Sequence, residues 1–113
     1  MHEYSITCSI IKILNDLIRK HKIKKIKIIN FEISTLAHIE PQSIEFYYNF
    51  LTRSSKVLKD ASLKFRKDKI KIECSICGKS FKSENIVSNC IYCSGNKLRI
   101  INSDDIKIIS IET

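Results

Sequence analysis

Two cysteine pairs, Cys74-Ser75-Ile76-Cys77-Gly78 and Cys90-Ile91-Tyr92-Cys93-Ser94-Gly95, repeat a C-x2-C spacing with twelve residues between them. No other feature restricts the fold as strongly. Each pair can clasp one edge of a metal ion while the following glycine takes a turn closed to larger residues, aiming backbone N–H groups at the thiolates. Four thiolates in a tetrahedron favour Zn(II), with iron the poorer candidate. Disulfides or a redox pair are the rival, but a thioredoxin-like site uses a single C-x-x-C ahead of a helix. Four thiolates also fill the coordination sphere and leave no position for a catalytic water, so the site is expected to hold a lobe together and perform no chemistry.

The chain has five cysteines, an odd number that in a reducing compartment points to metal ligation before disulfides. Cys8 is left over and reads as a small, semi-buried hydrophobe in a helix. Lysines interrupt every isoleucine-rich stretch, so no membrane span is expected; His2-Glu3 is a poor start for a secretory signal, and a cytoplasmic protein is expected.

Around the cysteines the periodicity is mixed. Ile6, Ile10, Ile13/Leu14, Leu17 and Ile18 recur at helical spacing and predict an amphipathic helix from Tyr4 to about His21. KIKKIKIINFEIS, from Lys22 to Ser34, alternates lysine with β-branched residues and predicts a strand. Pro41 marks a helix start, with Ile44, Tyr47/Tyr48, Leu51 and Val57/Leu58 continuing at helical spacing. Leu63/Phe65 and Ile70/Ile72 predict two strands parted by an RKDK turn at 66–69. KLRII and IKIISIE are strand-like and flank the turn signal Asn102-Ser103-Asp104-Asp105. The expected fold is α+β: a small sheet of about three strands packed with two helices, plus an inserted zinc-ribbon-like four-cysteine lobe. The division is drawn as 1–68 with 104–113 for the α/β domain and 69–103 for the zinc-binding domain.

A histidine at position 2 is, taken alone, a frayed-tail residue. Its coordination chemistry is richer. The His2 Nδ1 and backbone nitrogen close a six-membered ring on a metal, while the Met1 amine and the Glu3 backbone nitrogen each close a five-membered ring with that same nitrogen. Square-planar nitrogen donors suit Ni(II) or Cu(II). All four nitrogens cannot share one plane, so a corner must come from elsewhere. Glu40, in AHIEPQS, is the candidate, with His38 and the Glu3 carboxylate as substitutes; as a residue at a helix start, Glu40 reads equally well as a capping carboxylate. His21 belongs to a solvated basic helix end.

MHEYSI before a helix, IEPQS opening a second helix, and the two cysteine pairs before a final strand resemble the HypA/HybF family of hydrogenase maturation nickel chaperones over essentially the whole chain. The resemblance implies a nickel site using the His2 imidazole and the His2 and Glu3 backbone nitrogens, with an acidic residue at the place of Glu40 as a further ligand in some relatives. It implies a separate zinc site at Cys74, Cys77, Cys90 and Cys93. It also implies that Ni(II) is transferred, with a GTPase nickel-insertion accessory protein, to the [NiFe]-hydrogenase large subunit precursor and, in some bacteria, through urease accessory proteins to urease. Two departures stand out. Ser34-Thr35 replaces a Gly-Glu common in relatives, and Gly78-Lys79 and Ser94-Gly95 stand where some relatives carry a histidine near each cysteine pair.

The leading expectation is a metallochaperone, not an enzyme, acting as a monomer or weak homodimer. The alternative is a nucleic-acid-binding zinc ribbon, supported by a net charge of +8 and the run RKHKIKKIK. Against it, those lysines alternate with isoleucines as on a strand's wet face, and the lobe's only rings are Phe81 and Tyr92. Catalysis ranks last, because no nucleophile-base set or phosphate-cradling glycine loop is present.

Overall fold

Apolar residues at intervals of three and four wind the first segment into α1 (His2–His21) in a computed structural model that describes residues 2–101 and 105–113, with His2 by its backbone alone. Ile10 and Leu14 are buried on the inner stripe, joined by Thr7, whose hydroxyl donates to the Glu3 carbonyl at 2.6 Å. Ile13 is 51% exposed, because Leu14, a third of a turn further on, takes the centre of the stripe. Cys8 is exposed as well, correcting its reading as a semi-buried hydrophobe: Thr7 holds the inward position beside it.

The lysine-isoleucine run does not begin as strand. Lys22 adopts φ +52° and Ile23 N–H reaches back to the Ile18 carbonyl at 3.1 Å, the closure of a Schellman-type cap with lysine at the place glycine usually fills. The residues that follow turn the chain toward the sheet, with Ile26 fully buried, and β1 starts at Ile28 (Ile28–Ser34). Ile29, Phe31 and Ile33 alternate into the core from β1.

Pro41 opens α2 (Pro41–Thr52) at a position where its missing N–H costs nothing. The helix stops short of Val57/Leu58, which the periodicity had included. The buried Tyr48 hydroxyl needs an acceptor and takes the Leu58 carbonyl at 2.7 Å, while Thr52 Oγ1 takes the Tyr48 carbonyl at 2.7 Å. Burial pushes the Tyr48 phenol up to about 12. β2 (Ser62–Asp68) runs straight through Arg66-Lys67-Asp68, so the expected RKDK turn shrinks to Lys69 before β3 (Ile70–Cys74). The reason is pairing across the sheet: Arg66 Nε and Nη2 meet Glu32 Oε2 of β1 at 2.9 and 2.8 Å.

β1 lies between β2 and β6 (Ile106–Glu112). Ser62 N–H bonds the Lys27 carbonyl and Thr35 N–H the Asp68 carbonyl, so β1 and β2 run parallel, with α2 in the connection between them. Lys27 N–H bonds Glu112 and Ser34 N–H bonds Asp105, so β6 runs antiparallel to β1. Lys107 of β6 adds a third member to the Glu32 cluster at 3.4 Å. Burial pushes the Glu32 carboxyl up, but the Arg66 and Lys107 cations outweigh it and hold it below its usual value.

A second three-stranded sheet has the order β4-β3-β5, with β4 at Ser80–Ser83 and β5 at Leu98–Ile100. β3 pairs antiparallel with both neighbours, placing Ile72 opposite Phe81 on one side and Ile100 on the other. Ile70, Ile72, Cys74, Phe81 and Cys90 form its small core, against which Leu36, Val87 and Leu98 pack. β4 has no counterpart in the sequence reading, since S-F-K-S carries a single apolar residue. Asn102, Ser103 and Asp104 of the expected turn lie outside the described residues.

The chain divides into two compact units. One comprises Met1–Glu32, Ile39–Arg66 and Lys107–Thr113; the other comprises Ile33–His38 and Lys67–Ile106. In the second unit Ser34 is buried and forms a tight turn: its carbonyl accepts Ala37 N–H at 3.0 Å and its Oγ accepts Leu36 N–H at 3.3 Å. Thr35 hands both its N–H and its hydroxyl to the Asp68 carbonyl. Ser34 and Thr35 are thus held by side-chain bonds of their own.

Candidate metal centres

Cys74 ends β3, and Cys77, Cys90 and Cys93 come from the two turns that follow. Their sulfurs all lie within 4.8 Å of one another. The Cys74–Cys93 and Cys77–Cys90 separations are 3.6 and 3.7 Å, close to the roughly 3.8 Å edge of a tetrahedron with 2.3 Å metal–sulfur bonds. The donor set and its spacing therefore fit zinc. Cys74 and Cys90 are buried in the small core, Cys77 is half-buried and Cys93 is exposed.

The two turns share one hydrogen-bond frame. Cys74 accepts Gly78 N–H at its carbonyl and gives its own N–H to Lys79 O; Cys90 accepts Ser94 N–H and gives its N–H to Gly95 O. The residue four beyond the leading cysteine is left-handed in both, at φ +76° for Gly78 and +61° for Ser94. The two glycines expected to play one role therefore play different ones. Gly78 is there for its backbone angle, with nothing within 4 Å of where a Cβ would stand. Gly95 is there for space, since a Cβ would come within 2.5 Å of Ile76 Cδ1 and 3.2 Å of Cys93 Sγ. Gly78 N–H goes to the Cys74 carbonyl instead of a sulfur; donors that face a sulfur include Cys77 N to Cys74 at 3.5 Å, Tyr92 N to Cys90 at 3.3 Å and Gly95 N to Cys93 at 3.4 Å.

These donors sort the thiols. The Cys77 N–H leads in drawing Cys74 down to about 7. Burial pushes Cys90 up, but the Cys93 and Tyr92 N–H groups outweigh it and lower that thiol too. Gly95 N–H pulls Cys93 down, yet burial and the three neighbouring sulfurs carry it up to about 11. Cys74 and Cys90 are thus held toward the thiolate and Cys93 toward the thiol.

The second candidate is the beginning of α1. The leading amides of an α-helix have no carbonyl partner within it, so the His2 and Glu3 nitrogens stand at the helix end with no helical hydrogen bond to lose. Tyr4 of α1 packs edge-on against Tyr47 of α2, with ring centroids 5.3 Å apart. Glu40 occupies the N-cap of α2 through its backbone, its carbonyl accepting Ser43 and Ile44 N–H. Its carboxylate caps nothing; it is exposed beside a cleft of about 270 Å³ shared with Gln42, Ser43, Phe46 and Tyr47. Of the two roles read for Glu40, the helix-start one holds for its position, where the dipole favours a carboxylate, although the side chain makes no capping hydrogen bond. His21 and His38 are both exposed. The His2 imidazole and the Met1 amine lie outside the described residues.

Comparison with known proteins covers both centres. Residues 1–113 match the sequence model of a family described as hydrogenase/urease nickel incorporation, metallochaperone, hypA. The hydrogenase maturation factor HypA of Caldanaerobacter subterraneus subsp. tengcongensis is 32% identical over 100 residues, covering 88% of this chain and 87% of its own. The Aquifex aeolicus protein of the same name is 30% identical over 112 residues, covering 99% and 96%. In fold, the chain is similar to the solution structure of the Ni metallochaperone HypA from Helicobacter pylori, with a TM-score of 0.74 and 23% identity over 97% of this chain and 95% of that one. A second solution structure, of HypA protein, gives 0.78 and 25% over 99% and 95%. Among the described residues no helix is long and apolar enough to cross a membrane.

Proposed function

The chain belongs to the HypA family of hydrogenase/urease nickel-incorporation metallochaperones, and from that premise we propose that it carries Ni(II) as cargo at the start of α1. The observation that carries the reading is the family match beginning at residue 1, which takes in the Met-His-Glu terminus. The ligands are the His2 imidazole, the His2 and Glu3 backbone nitrogens and, as the outside corner, the Glu40 carboxylate. A planar Ni(II) site of this kind requires deprotonated amides. The helix start supports that requirement twice: its amides bind no carbonyl in the helix, and the positive end of the helix dipole favours the anionic nitrogen.

Delivery is ligand exchange. Donors at a chain end can be replaced one at a time by thiolates or carboxylates of the recipient, so the ion need never be free. The recipient is the [NiFe]-hydrogenase large subunit precursor, served with a GTPase nickel-insertion accessory protein; urease accessory proteins are a second route. The work is done in the cytoplasm and without catalysis. Residues 1–68 with 104–113 carry nickel, while 69–103 form the zinc domain, with Zn(II) structural at Cys74, Cys77, Cys90 and Cys93. Bound there, the ion supplies cross-linking of the two turns; the N–H groups of Cys77, Tyr92 and Gly95 hold the sulfur charge.

Calorimetric titration of His2→Ala and Glu40→Gln tests the ligand set. His2→Ala loses stoichiometric Ni(II) binding with zinc content unchanged, and Glu40→Gln weakens it by about tenfold, the effect of removing one charged ligand. An unaltered nickel isotherm for His2→Ala rules the site out.

A further inference from the structure

The two cysteine turns carry apolar residues outward. Between their cysteines stand Ile76 in the first turn and Ile91 and Tyr92 in the second, and these are 56%, 63% and 55% exposed. Four sulfurs within 4.8 Å of one another gather both turns at one end of the lobe, and Ile76 leans across to Gly95 of the second turn. Single exposed apolar residues need no explanation, but three on two adjoining turns form a patch. Its charges are of one sign. Lys79 holds its ammonium 4.9 Å from the Tyr92 ring centroid, and Lys97 is drawn in beside the first turn by the bond from Ser75 N–H to its carbonyl. Both lysines are exposed. Between Cys74 and Leu98 the sequence has one acidic residue, Glu84. It lies by Thr35, Lys67 and Asp68 at the Ile70 end of β3, about 13 Å along that strand from Cys74.

We propose that this end of the lobe docks on the surface of an anionic lipid bilayer. Ile76 and Ile91 enter the boundary with the acyl chains, Tyr92 sits at headgroup level, and Lys79 and Lys97 meet lipid phosphates. The residue types choose the occupant. Protein interfaces are depleted in lysine and draw their anchors from Trp, Tyr and Arg seated in pockets, whereas here aliphatic tips project from turns within a lysine rim. A bilayer interface takes that combination: aliphatic groups deepest, tyrosine above them, ammonium groups at the anionic surface. The net charge of +8 adds long-range attraction to the same surface. Because the hydrogen-bond frame of the two turns shapes the patch beforehand, little ordering is lost on docking. Two isoleucines and two lysines hold about as well as one acyl chain, so attachment is reversible.

Co-sedimentation of the zinc-loaded, nickel-free chain with vesicles of equimolar phosphatidylglycerol and phosphatidylcholine tests this. Binding is expected with a constant on the order of 10⁴ M⁻¹ in lipid, and about tenfold weaker on phosphatidylcholine alone. Lys79→Gln and Lys97→Gln each weaken it about fivefold. Lys20→Gln and Lys24→Gln, in the basic run outside the lobe, each change it by less than about twofold, because exposed charges away from the contact are screened. Ile91→Ser weakens binding about tenfold, with zinc content and circular dichroism unchanged because its side chain faces solvent. Failure to bind the anionic vesicles overturns the proposal and leaves an acidic protein as the occupant of the patch. An Ile91→Ser chain that binds as the parent does, or a loss from the Lys20 and Lys24 substitutions equal to that from Lys79 and Lys97, overturns it in favour of diffuse charge attraction.

Discussion

Ser94 and Gly78 occupy the same place in two turns built alike, yet only one is glycine. A serine at φ +61° bears the steric cost of its Cβ, which glycine avoids. Ser94→Gly is therefore expected to stabilise the zinc-loaded protein by about 0.5 kcal/mol, the relief of left-handed strain less glycine's extra unfolded-state entropy, and Gly78→Ala to destabilise it by about 1 kcal/mol. Thermal denaturation of both variants checks this; a rise in stability for Gly78→Ala would show that the angle is not what glycine supplies. The cysteine spacing made the metal cluster legible from sequence, because covalent spacing dictates which sulfurs can meet. The division of labour between Gly78 and Gly95 was not legible, since it depends on Ile76 folding over the second turn. The environment of Cys8 was misread for a similar reason: a helical stripe identifies a face, and Thr7 settles inward only because its hydroxyl finds the Glu3 carbonyl.

Elements with strong periodicity were readable, as were the His21 end of α1 and the Pro41 start of α2, while other ends were not. Both helices follow from apolar spacing, but α2 ends where Tyr48 and Thr52 claim nearby carbonyls, a choice made by side-chain bonds rather than by period. The lysine-isoleucine run alternates evenly from Lys22, yet its first part is spent on a helix cap and a connection, because the chain must reverse before it can pair. RKDK looks like a turn by composition; Glu32 makes it strand by holding Arg66 across the sheet. That cluster has a pH signature. With the folded Glu32 value below 4.5, the unfolded state binds the proton more readily. The stabilisation is thus fully present above about pH 4.5 and is lost as pH falls through the lower folded value. Acid titration of stability is expected to show this loss in the parent and a flatter profile below pH 4.5 in Glu32→Gln; identical acid profiles would assign the cluster no part in holding the sheet.

For the whole molecule, the basic run Arg19–Lys27 that supports a nucleic-acid reading is a helix end followed by a connection, with Arg19 paired to Asp16 and Lys25 3.7 Å from Asp60. The same residues also carry ordinary structural duties, and the family match through residue 113 speaks for metal delivery. In the proposed function, cargo and structural ion use different donors: backbone and imidazole nitrogens with the Glu40 carboxylate at one place, thiolates at the other. Absorption spectroscopy on tag-free, zinc-loaded protein during Ni(II) titration tests this directly, because planar nitrogen ligation and nickel–thiolate bonding absorb differently. One equivalent of Ni(II) is expected to be taken up with a yellow ligand-field band and no release of zinc. A thiolate-to-nickel charge-transfer band growing in as zinc leaves Cys74, Cys77, Cys90 and Cys93 would contradict it.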